Sequence, residues 1–170
     1  MTPWCEIGLL AFDIDGTLTD GTTWWGGPGV GWVQRYSVRD GEAILRLKQR
    51  LHVVPVSRNR TAAAVERVAQ LGLDARWVGV VDKPESIRQI CHEYHVDARR
   101  VLFVGDGLDD VPLFALVGVA CAVADAHPAP APVRPAAGHR RRSPRDPRPR
   151  LLAEHVSWRT APLAIARAPQ

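Results

Sequence analysis

Four short apolar runs, residues 7–12, 53–56, 77–81 and 101–104, each end within one residue of a polar or charged residue, and this repeated pattern constrains the fold more than any other feature of the chain. Runs this short, apolar without alternation, fit strands buried on both faces. Between them, residues 41–50, 61–71 and 84–95 have helical spacing, with Gly72 closing the second. Residues 111–117 predict a further short helix and residues 119–123 a fifth strand. Strands alternating with helices imply an α/β fold with a parallel sheet covered on both faces, because each right-handed crossover lays a helix against the sheet. Ligands of such sheets sit beyond the carboxyl ends of the strands. Asp13, Ser57 and Asp82-Lys83 follow a run directly and Asp106 follows one after Gly105, so four separate segments are expected to converge on one edge.

Residues 22–25 and 32–38 are rich in β-formers and flank Gly26-Gly27-Pro28-Gly29, which predicts a hairpin inserted at 21–40. The chain changes character after Ala126. Residues 1–126 hold 13 Lys and Arg against 16 Asp and Glu, whereas residues 127–170 hold 9 arginines against 2 acids, together with 9 of the 14 prolines. The segment HRRRSPRDPRPR cannot bury enough apolar surface to offset its ordering entropy and is expected to be disordered. The basic pI of about 9.4 thus belongs to the tail, which lacks interleaved aromatics, and nucleic acid is not the expected partner. Cys5, Cys91 and Cys121 form no C-x-x-C pair, and no apolar run approaches a membrane span; a soluble, cytoplasmic protein is expected. His92 and His95 are three residues apart, not the spacing of H-E-x-x-H, and predict a solvated helix face.

The chemistry concentrates in Asp13-Ile14-Asp15-Gly16-Thr17-Leu18-Thr19-Asp20-Gly21. Carboxylates at i and i+2 on an extended strand end point to the same side, so both face one substrate. That arrangement suits a nucleophile, Asp13, beside a general acid and base, Asp15. A calcium loop would need further oxygen ligands and a glutamate at its twelfth position, and would not follow an apolar strand.

The segment DIDGTLTDG resembles the first motif of the haloacid dehalogenase (HAD) superfamily. Ser57 in VVPVS, Lys83 in VVDKPES and Asp106 in GDGLDD resemble the second, third and fourth. The resemblance implies a Rossmann-like three-layer α/β sandwich with a mainly parallel sheet. It also implies that Ser57 binds the phosphoryl group and that Lys83 neutralises charge on it. It further implies Mg2+ held by the Asp13 carboxylate, the Asp15 main-chain carbonyl and the Asp106 carboxylate, with Asp110 matching the last acidic position behind them and Asp109 assisting.

Thr19-Asp20-Gly21, the hairpin tryptophans and Tyr36-Ser37-Val38-Arg39-Asp40-Gly41 narrow the likeness. They resemble the cap-less phosphatases of 3-deoxy-D-manno-octulosonate 8-phosphate and the phosphatase module found with acylneuraminate cytidylyltransferases. This implies one catalytic domain over residues 1–126 with no cap domain, and a small phosphorylated sugar acid as substrate. It also implies a homotetramer in which Trp24, Trp25 and Trp32 help to cover a neighbour's site, and a place for Arg39 at a substrate carboxylate. The chain has Ser57-Arg58-Asn59 where the family usually has Thr-Gly-Arg, Gly107 where close relatives have a second Asp, and the Pro/Arg stretch where they continue with a Gly-rich segment and a helix. The last departure opens a second reading, a weakly active or inactive oligomeric partner of a sugar-nucleotide enzyme.

Overall fold

The computed structural model describes residues 6–127. The expected tail, 127–170, lies outside the described residues apart from His127. Four strands form one parallel sheet: β1 (Leu9–Phe12), β4 (His52–Pro55), β5 (Val101–Gly105) and β6 (Val119–Ala122), in the order β4-β1-β5-β6. β1 is central, with Leu10 opposite Val53 on one side and Leu102 on the other.

Successive side chains of a strand face opposite sides, and the two faces of this sheet have separate cores. Leu10, Phe12, Val53, Leu102 and Val104 pack with Ile44 and Leu47 of α1 (Val38–Leu47). Leu9, Ala11, Val54, Val101 and Phe103 pack with Ile87 and Ile90 of α3 (Lys83–Glu93) and with Leu113 and Phe114 of α4 (Val111–Phe114). Fully burying each large side chain contributes about 1.5–3 kcal/mol, which explains why β1 and β5 are apolar at every position instead of at alternate ones. The helix α2 (Ala62–Gln70) sets Ala64 and Val68 against Ile14. The result is the expected three-layer α/β sandwich.

Caps decide where the helices begin. Ser37 accepts from the Asp40 amide, so α1 starts at Val38 instead of Gly41 and takes Arg39 into its first turn. Asp82 accepts from the Glu85 amide and makes Lys83 the first residue of α3. The expected strand at 77–81 does not form. Ala75–Trp77 is a 3-10 turn, and only Val78 bridges to Ser57; the amides of Gly79 (φ +87°) and Val80 then both donate to the Ser57 carbonyl, which turns the chain out of the ladder.

No cap domain is present among the described residues. Between β1 and α1 stands the hairpin of β2 (Thr19–Trp25) and β3 (Trp32–Tyr36), a separate antiparallel pair. Trp25 and Trp32 meet edge to face at its tip, 55% exposed each, with Trp24 44% exposed. No helix among the described residues is long and apolar enough to cross a membrane.

Candidate active site

The carboxyl ends of β1, β4 and β5 and the start of α3 bring the acidic and polar residues together. Asp13 directly follows β1, and its amide donates to the Val104 carbonyl of β5 (2.9 Å), while Val56 on the other side donates to Phe12 (2.8 Å). The backbone under Asp13 is therefore held from both neighbours. Its Oδ1 accepts the Ile14 amide at 2.7 Å. The chain then turns sharply, with Leu18 and Thr19 both donating to the Ile14 carbonyl. Gly16 makes the turn possible twice over: its φ is +75°, and a Cβ would collide with Asp106 Oδ2. Asp106 thus lies directly against the loop that carries Asp13 and Asp15, and Thr17 Oγ1 donates to its Oδ1 at 3.4 Å.

Lys83 enters from the first turn of α3 and is buried. Its Nζ lies 2.9 Å from Asp13 Oδ2 and 2.7 Å from Asp110 Oδ1. Asp110 is fully buried, and its Oδ2 accepts the amides of Asp106 (2.9 Å) and Gly107 (3.0 Å). Both Asp110 oxygens are therefore occupied in fixing Lys83 and the loop that carries Asp106. Asp109 has a different place, exposed on the rim with Oδ2 2.7 Å from Arg58 Nη1.

One ammonium faces three carboxylates here. Asp13, Asp106 and Asp110 each offer an oxygen, all within 4.8 Å of one another. Burial first, and then the charges of Asp13 and Asp110, push the Asp106 carboxyl up to about 7. Burial also raises Asp13, with Asp110 adding to it and Lys83 opposing. For Lys83, burial opposes the charged form, but the two carboxylates outweigh it and the amine is held above its ordinary value. A pocket with this surplus of buried oxygen charge fits a hard divalent cation such as Mg2+.

Ser57 is buried after β4, its Oγ accepting the Asn59 amide at 3.2 Å. Asp15 is exposed, but two amides hold it. Its Oδ1 accepts from Gln34 Nε2 of β3 (2.5 Å) and from Asn59 Nδ2 (2.8 Å). Tyr36, which burial and then the Asp15 charge push up to about 12, donates its hydroxyl to Gln34 Oε1. Arg39 is exposed, and no hydrogen bond or ion pair joins it to Asp13, Asp15, Lys83 or Asp106. Sequence reasoning passed over Gln34, Thr17 and the Asn59 side chain as parts of the site. Asn59-x-Thr61 ahead of a helix carries a turn signature, whereas nothing local marks Gln34.

Known proteins resemble the chain in sequence and fold. The family model described as haloacid dehalogenase-like hydrolase matches residues 29–118, a span that holds Ser57, Lys83 and Asp106. The 3-deoxy-D-manno-octulosonate 8-phosphate phosphatase KdsC of Salmonella typhi is 33% identical over 129 residues, which cover 75% of this chain and 68% of that protein. Among solved structures, a hypothetical protein from Xanthomonas campestris superposes with a TM-score of 0.69 at 32% identity, covering 74% of this chain and 68% of that one. The cobalt-bound form of deoxy-D-mannose-octulosonate 8-phosphate phosphatase from Haemophilus influenzae does so with a TM-score of 0.67 at 30% identity, covering 74% of each. The chain belongs to the haloacid dehalogenase-like hydrolase family, and within it to the phosphoric monoester hydrolases.

Proposed function

We propose that the chain is a Mg2+-dependent phosphatase of a small sugar-acid phosphate, of the 3-deoxy-octulosonate 8-phosphate or nonulosonate 9-phosphate type, working through an aspartyl-phosphate on Asp13. The observation that carries this is Lys83 Nζ, fixed between Asp13 and Asp110 beside Asp106, at the carboxyl edge of the sheet. The substrate class rests on the likeness to phosphatases of 3-deoxy-D-manno-octulosonate 8-phosphate.

In this reading the Asp13 carboxylate attacks phosphorus and the bond to the sugar oxygen breaks. Asp15 gives its proton to that oxygen, then takes one from the water that cleaves the aspartyl-phosphate. The Ser57 hydroxyl and the Lys83 ammonium receive the phosphoryl oxygens, and Lys83 also keeps Asp13 aimed. Asp13, Asp106 and the Asp15 carbonyl would hold Mg2+, which supplies positive charge to the transferring phosphoryl group. Asp110 fixes Lys83 and the Asp106 loop, and Asp109 steadies the rim through Arg58.

Residues 1–126 form the catalytic unit, with the hairpin as its insertion. With no cap among the described residues, the half-exposed tryptophans of the hairpin support a homotetramer in which each hairpin meets a neighbour. Arg39, exposed beside it, is left to meet the substrate carboxylate. The cytoplasm is the proposed compartment. The test is phosphate release from eight- and nine-carbon keto-acid phosphates with and without Mg2+, with Asp13→Asn as control. Release that needs Mg2+ and is lost in the variant supports the reading; a folded protein that releases phosphate from none of them overturns it.

A further inference from the structure

The hairpin does more than project tryptophans. Its second strand carries Gln34 to the one catalytic candidate that stands exposed, Asp15, and the amide that meets it is oriented on every side. Gln34 Oε1 accepts from Tyr36 Oη (3.0 Å), Asn59 Nδ2 (3.2 Å) and Thr61 Oγ1 (3.3 Å), so its Nε2 is left to face Asp15. Asn59 is fixed in the same way, since its Oδ1 accepts the Thr61 amide at 2.7 Å and its Nδ2 must turn toward Asp15. Both donors converge on Oδ1 of Asp15; among the described residues none reaches Oδ2.

We propose that Gln34 is a positioning residue that holds Asp15 through Oδ1, so that Oδ2 faces the oxygen leaving the phosphorus, and that the seating of the hairpin thereby controls the proton-transfer step. The inference rests on Asp15 being the general acid and base. An exposed carboxylate left to itself samples several staggered rotamers, and a misplacement of about 1 Å costs on the order of a hundredfold in rate. Donors from two separate elements, β3 and the loop before α2, remove that freedom. The hairpin meets the domain through this polar cluster and through Tyr36, which packs against the core beside Leu10 and Ile44 and against Ile14 and Val68, so a shift of β3 withdraws Gln34 and frees Asp15.

The leaving group decides the test. Transfer from 3-deoxy-D-manno-octulosonate 8-phosphate expels an alkoxide that needs a proton, whereas 4-nitrophenyl phosphate expels a stable phenolate that does not. In the full-length protein with Mg2+, Gln34→Met is expected to lower kcat/KM for the sugar phosphate by about ten- to a hundredfold. For the aryl ester it should stay within about twofold, and Gln34→Lys, which keeps an N–H donor, should recover most of the loss. Asp15→Asn serves as the reference. If Asp15→Asn shows the selective loss and Gln34→Met shows none, or loses both substrates equally, the positioning role is overturned while the assignment of Asp15 stands. If Asp15→Asn itself shows no selectivity between the two substrates, the acid–base assignment fails, and this inference fails with it.

Discussion

Lys83 reaches Asp13 from the first turn of α3, with Nζ 2.9 Å from Oδ2 and only 2% of the lysine and 10% of the aspartate side chain exposed. Taking such charges out of water costs several kcal/mol each, and their mutual attraction offsets this only when the remaining hydrogen-bonding capacity is satisfied. Asp110 satisfies it on the lysine side, and the Ile14 amide on the aspartate side.

Lys83→Met should therefore strand two buried carboxylates. We expect a loss of about 3–5 kcal/mol in urea unfolding without Mg2+. The double variant Lys83→Met/Asp110→Asn should lose clearly less than the sum of the single changes, because the second removes a charge the first left unpaired. Additive losses would mean that the pair is not coupled.

Asp13→Asn should act on chemistry and leave the fold intact. The amide cannot attack phosphorus, so turnover should fall by roughly a thousandfold or more. Burial already raises Asp13, so a neutral group at this position relieves a desolvation cost, and the unfolding midpoint should not drop. Phosphate release and circular dichroism on one sample check both halves.

Asp106 links stability to pH and metal. Its carboxyl ordinarily titrates near 3.8 but near 7 in the fold, so the folded state holds the proton more tightly. Its stabilising contribution is present in full below the ordinary value and is lost as the pH rises through about 7. A divalent cation held by Asp106, as proposed, would replace that proton. The rise in Tm on adding Mg2+ should be small near pH 5 and large near pH 8; equal shifts at both would place the cation away from Asp106.

Gly16→Ala should damage the loop and the proposed metal site together. Its φ of +75° alone costs an L-residue about 1–3 kcal/mol, and the added Cβ drives Asp106 away. Half-maximal activity should then need about ten times more Mg2+. Melting curves and a Mg2+ titration of activity measure the two effects.

Trp25→Glu/Trp32→Glu should separate assembly from folding. Both side chains are about half exposed and outside the two cores, so the fold should persist while light scattering reports a shift from the proposed tetramer to monomer. An unchanged mass would exclude the hairpin tip from the interface.

Much of the architecture was legible without coordinates. Residues 7–12, 53–56 and 101–104, short and apolar without alternation between helical segments, read as strands of a sheet covered on both faces, and Asp13, Ser57 and Asp106 fell at its edge near strand ends, where Lys83 joins them from the first turn of α3. Patterns of this kind are local, set by periodicity and composition within a few residues, and a single sequence exposes them. What only the tertiary structure decided depends on register between distant segments. Residues 77–81 have strand composition, but two amides competing for the Ser57 carbonyl turned them out of the sheet. Adjacent Asp109 and Asp110 look alike in sequence, and the loop geometry alone buried one under Lys83 and left the other on the rim. Gln34 meets Asp15 because the hairpin folds back onto the loop after β4, and a hydrogen bond made across that gap leaves no mark in the residues on either side of it.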